Sequence, residues 1–124
     1  MEIRRTVDAA ARVVTLEVIG ELGDGELATL VGELAHAPGL GPEYSLLVDM
    51  RFVNGRSVTT AGVKALASKT PVFAPAARRA VVVPTDLGYG MARMYEMFAE
   101  PHGGPDVRVF RDYAQARRWV ELGV

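Results

Sequence analysis

The sequence has no cysteine. That removes disulfides, thiol nucleophiles, iron–sulfur clusters and Cys-ligated zinc together, and it suits a reducing compartment. Histidine is almost as scarce. His36 and His102 stand in loop-like surroundings, beside Pro38-Gly39 and Gly103-Gly104. Neither has a second histidine four residues away, the spacing with which one helix face holds zinc. Ser45, Ser57 and Ser68 lack the Gly-x-Ser-x-Gly setting of a nucleophile elbow. An excess of one charge is also missing: 14 Lys and Arg face 15 Asp and Glu, a net charge of −1. No global field gathers nucleic acid or acidic membrane. The pairs Arg4-Arg5, Arg78-Arg79 and Arg117-Arg118 are each broken up by apolar or acidic neighbours and read as solvated faces. No apolar run approaches the roughly 20 residues that span a bilayer, and Met1–Arg5 lacks the apolar core of a signal peptide. The expectation is a cytoplasmic protein with no metal, no cofactor, no nucleic-acid partner and no membrane span.

The residues present describe one α/β domain over 1–124. A chain of this length buries enough apolar surface to fold without a disulfide or structural metal. Ile3, Arg5 and Val7 alternate with polar neighbours as a short first strand, and Asp8–Arg12 reads as a turn. Val14, Leu16 and Val18 give a second strand, which so short a connection pairs antiparallel to the first. The first strand, with its two arginines, belongs at or near an edge. After Gly20, Asp24 is placed to cap a helix carrying Leu27, Leu30, Val31 and Leu34, stopped at Pro38-Gly39. Leu46-Leu47-Val48 is a continuous apolar run, a strand covered on both faces, ending at Asp49. Thr59 or Thr60 starts a second helix with Val63, Leu66 and Ala67, bounded by Pro71. Ala80–Val83 is another buried strand, stopped by Pro84. Asp86 or Gly88 opens a third helix with Met91, Met94, Tyr95 and Phe98 on one face. Val107–Phe110 is the last strand, and Asp112 caps a final helix with Tyr113, Ala116, Trp119 and Val120. The order β-β-α-β-α-β-α-β-α predicts a mostly parallel sheet with an antiparallel first strand.

This element order resembles the SpoIIAA-like, STAS/Sec14-type family of small domains. The likeness is carried by Ser45-Leu46-Leu47-Val48-Asp49-Met50-Arg51, by Ala80-Val81-Val82-Val83-Pro84 leading into a glycine-flanked helix, and by Phe110-Arg111-Asp112 with Ala116 and Trp119. It covers nearly the whole chain and implies a non-enzymatic binding or regulatory module. Anti-sigma-factor antagonists of that superfamily carry Asp-Ser-Ser-Gly at the start of the second main helix, with the first serine phosphorylated. The resemblance puts Thr59 at the aspartate, Thr60 at the phospho-acceptor and Ala61 at the next residue. The hydroxyl survives and the aspartate does not, so Thr60 is expected to be a structural helix cap. Sec14-type relatives enclose lipid, but this chain lacks the extra helices of a deep lipid cavity.

Three features invite a chemical reading. Gly23-Asp24-Gly25-Glu26-Leu27-Ala28 matches a dinucleotide-binding turn. However, Glu21, Asp24 and Glu26 place carboxylates where a pyrophosphate would sit, and the acids suit a helix N-terminus. Asp49 with Arg51, Thr85 with Asp86, and Arg111 with Asp112 follow three strands, at the edge where open parallel sheets bind ligands. The third helix holds Met91, Met94 and Met97, adaptable side chains that suit a core or a contact surface. The ligand or partner site is therefore expected among Asp49, Arg51, Thr60, Asp86 and Arg93, with Met94 and Met97. The partner is another protein or a small apolar ligand, and a homodimer through the Met-rich helix or the first strand is a further expectation. Two alternatives stand beside this reading. One is a carrier of a small apolar ligand or lipid; the other is a hydrolase or transferase using Asp49 and Asp86 as an acid/base pair.

Overall fold

The computed structural model describes residues 1–35, 40–68, 76–99 and 107–124. His36, Pro38-Gly39, Pro71, His102 and Gly103-Gly104, named above, lie outside the described residues. Strand β1 (Glu2–Asp8) runs antiparallel to β2 (Val13–Gly23), with Ile3 opposite Val18 and Val7 opposite Val14. The turn between them is held by Asp8, whose Oδ1 accepts from the Ala11 N–H at 3.1 Å, and by Arg12 at φ 55°. Strands β3 (Ser45–Ser57), β4 (Arg79–Val82) and β5 (Arg108–Phe110) then add in parallel, giving the order β1-β2-β3-β4-β5.

That order settles where the helices go. Helices α1 (Asp24–Leu34), α2 (Thr60–Ala67) and α3 (Asp86–Ala99) each connect a parallel strand to the next one along the sheet in the same direction. Right-handed crossovers that all step the same way lay their helices on one face. Helix α4 (Tyr113–Leu122) follows the last strand and covers the other face. The period-2 alternation of each strand feeds two cores. Val14, Leu16, Val18, Leu46 and Val48 meet Leu30 and Leu34 of α1. Val13, Leu47, Ala80 and Val82 meet Ala116 and Val120 of α4. Asp112 caps α4, its Oδ1 accepting from the Gln115 N–H at 3.0 Å, and Gly123 ends it at φ 77°.

Strand β3 runs on to Ser57 instead of ending at Asp49, and β2 runs past Gly20 to Gly23. The reason is local. Glu17 pairs with Asp49, but Ile19 pairs with Phe52, so β3 carries one extra residue as a bulge. Asp49 is 1% exposed, and its Oδ1 accepts from the Arg51 N–H at 3.0 Å. The Arg51 guanidinium closes on both carboxylate oxygens, at 3.0 Å to Oδ1 and 2.8 Å to Oδ2. Charge that looked like a strand end is neutralised inside the strand. Because β4 pairs only with Leu46–Asp49, the far halves of β2 and β3 project beyond the sheet as a two-stranded arm.

Candidate functional site

Under the helical face lies a cavity of about 520 Å³. Its floor is the sheet face carrying Val48, Val81 and Val109, and its roof is made by α1, α2 and α3 through Leu30, Leu66 and Met91. Asn54, Gly55 and Arg56 of the projecting arm wall it on one side, and Val83, Pro84 and Thr85 after β4 complete the rim. The cavity thus reaches the carboxyl edge of the parallel strands, where ligands bind in open sheets. Its volume lies within the range of about 300–1,000 Å³ common to small-molecule sites. Helix α3 lines the cavity with Leu87, Gly88, Met91, Ala92 and Tyr95, opposite Val81 and Val83 of the sheet side. Gly88 is required there, since a Cβ would lie 2.4 Å from Val83 Cγ1. Thr85 caps this close approach, its Oγ1 accepting from the Gly88 N–H at 3.1 Å.

Tyr95 supplies the cavity with a polar atom. Its hydroxyl is buried and meets no hydrogen-bond partner among the described residues. Burial pushes its pKa up to about 12, so it stays a neutral donor at physiological pH. An unpaired buried hydroxyl costs about 1–3 kcal/mol, which an occupant offering an acceptor offsets.

The residues expected to form one rim fall into separate clusters. Asp49 lies on the α4 side with the Arg51 guanidinium on it, 4.2 Å from the Tyr113 ring centroid, and Arg51 also borders the cavity. Asp49 and its own backbone contacts hold Arg51 in place, and this hydrogen bonding, set against desolvation, raises the arginine's pKa. Asp86, at the start of α3, pairs with Arg111, whose guanidinium stacks on Tyr89 at 4.4 Å. Arg93 pairs with Glu96 one turn along α3 at 3.3 Å. The acid/base reading thus finds its two carboxylates on different arginines.

Helix α3 also divides its residues differently from expectation. Met91 and Tyr95 line the cavity, while Met94 does not and Met97 is 65% exposed.

Thr60 is corrected in role. The cap of α2 is Thr59, whose Oγ1 accepts from the Gly62 N–H at 3.0 Å, while Thr60 is the exposed first helical residue. Asp24 is corrected too. Gly23 is the cap of α1, and the Asp24 carboxylate reaches across to Thr59, taking its N–H at 2.9 Å and its hydroxyl at 2.7 Å. Glu26 Oε1 takes the Gly23 N–H at 3.2 Å. In the dinucleotide-like turn, then, carboxylates occupy the places a pyrophosphate would need. Among the described residues no three His, Cys, Asp or Glu gather as metal ligands, and no helix is long and apolar enough to cross a membrane.

No family model matches the chain, and no curated protein matches it significantly. Among solved structures it is similar to an uncharacterized protein of the DUF3478 family, with a SpoIIAA-like fold, from Shewanella loihica PV-4. The two share 20% sequence identity at a TM-score of 0.52, over 96% of this chain and 92% of that one. With its antiparallel β1–β2 pair, parallel remainder and four helices, the chain has a SpoIIAA-like fold.

Proposed function

We propose that this chain is a non-catalytic binding module that takes a small, largely apolar ligand into the cavity at the carboxyl edge of its sheet. The observation behind the reading is the cavity itself: about 520 Å³, lined mainly by aliphatic side chains, with the Tyr95 hydroxyl buried among them. Apolar walls with few polar groups are the usual composition of ligand sites. The carboxylates an enzyme would use, Asp49 and Asp86, are each engaged by an arginine, which supports a binding role over acid/base chemistry. Edge strand β1 and exposed Met97 are the surfaces we propose for self-association or a protein partner.

A neutral fluorescent probe, N-phenyl-1-naphthylamine, tests the reading. Saturable binding at one site is expected. Ala92→Phe, which fills the cavity from α3, should weaken it at least about tenfold, or 1.4 kcal/mol, while the protein still melts cooperatively. Absence of saturable binding, or an affinity indifferent to the filling, would remove the cavity from consideration.

A further inference from the structure

The mouth of the cavity holds a cation with no carboxylate paired to it among the described residues. Arg56 lines the cavity and is exposed, which places it where the cavity meets solvent. Its backbone is fixed: the Arg56 N–H donates to Asn54 Oδ1 at 3.2 Å, and the Val58 N–H donates to the Gly55 carbonyl at 3.1 Å. The other charged lining residues are engaged. Arg51 sits on Asp49, Glu96 on Arg93, and Arg79 has a partner of its own. Among the described residues, no carboxylate meets the Arg56 guanidinium.

We propose that the ligand is a single-chain amphiphile with a carboxylate head, its tail among Leu30, Leu66, Val81 and Met91 and its head on Arg56 at the mouth. This rests on the apolar-ligand reading above and adds the head group to it.

Besides the charged side chains already engaged, Tyr95 and Arg56 are the points a head group can meet, and electrostatics chooses between them. A carboxylate beside Tyr95 would exchange its hydration for one neutral hydroxyl, an unfavourable trade in a dry apolar site. At Arg56 it keeps part of its water and gains a charge-assisted, two-pronged partner. Tyr95 is left to meet a neutral oxygen or a trapped water. The tail supplies most of the affinity, because each buried methylene contributes through the area it removes from water.

Isothermal titration of the whole protein with octanoate, decanoate and decan-1-ol tests the head and the tail separately. Octanoate to decanoate should tighten binding about fourfold per methylene. Arg56→Gln should weaken decanoate about fivefold at low ionic strength, the scale of a partly exposed ion pair, and change decan-1-ol by less than about twofold. Arg56→Lys should recover part of the loss, and added salt should shrink the wild-type advantage. Arg56 is exposed, so these variants keep the fold, and a thermal melt verifies it. If both ligands bind but decanoate ignores Arg56→Gln, or both ligands lose equally, the carboxylate proposal fails and the apolar-ligand reading stands. If neither ligand binds saturably, both fail.

Discussion

Thr59 and Thr60 are neighbours with the same side chain, and the structure gives them different work. Thr59 has extended backbone (φ −108°, ψ 155°) and turns its oxygen back onto the first turn of α2. The same hydroxyl donates to Asp24 Oδ2, so a carboxylate from α1 rests on the N-terminus of α2, where the helix field favours an anion. Gly62 lies beneath it, because a Cβ there would come 2.3 Å from that carboxylate. Thr59→Ala should cost about 1 kcal/mol, whereas Thr60→Ala should stay within about 0.5 kcal/mol; urea unfolding compares them. The Asp24 carboxyl is held below its ordinary 3.8, first by the Thr59 N–H and then by the Thr59 hydroxyl. A carboxylate depressed in the folded state stabilises above its unfolded pKa, and that contribution is lost as pH falls through the lower folded value. The Tm difference between wild type and Asp24→Asn should therefore be fullest at neutral pH and close below about pH 4. A difference undiminished at acid pH would mean that packing, not charge, links the two helices. The sequence pointed to Thr60 as the cap rather than Thr59 because the deciding partner, Asp24, lies 35 residues away.

At the scale of elements, alternation was a faithful guide wherever a strand is covered. Val13 through Val18 and Leu46 through Val48 divide their side chains between the two cores as a period of 2 demands. The ends of strands were harder. Asp49 and Arg51 looked like a boundary because charge is rarely buried, and only the bulge that lets Arg51 return onto Asp49 makes the continuation of β3 intelligible. Helix α3 opens at Asp86, one of the two starts the sequence offered, with Thr85 just before it supplying the capping hydroxyl. Val82 tests the sheet itself. It is fully buried beneath Ala116 and Val120 of α4, and its neighbour across the strands is Asp49, a carboxylate that already holds Arg51. Val82→Asp should cost about 3–5 kcal/mol, the penalty of an uncompensated buried charge, read as a lower urea midpoint. A midpoint within error of wild type would mean that β4 does not lie under α4.

At the scale of the molecule, the sheet order and the cavity are the parts that local patterns could not show. Strands and helices were legible one by one, but whether three helices share a face depends on which strands become neighbours. The cavity is walled by α1, α2, α3, the sheet and the projecting arm together, and no single element's pattern shows it. Met91 and Tyr95 were legible as a helix face but not as a cavity wall, because a partly filled space and a full core have the same periodicity. If the cavity binds its ligand in the folded chain only, occupancy must stabilise the whole domain by mass action. Decanoate at a hundred times its Kd should then add about 2.7 kcal/mol of stability, a rise in Tm of roughly 10 °C for a domain of this size. The rise should follow the logarithm of free ligand, and Ala92→Phe should abolish it while leaving the melt cooperative. A rise that survives the filled cavity would place the ligand elsewhere on the molecule, and a fall would show that decanoate prefers the unfolded chain.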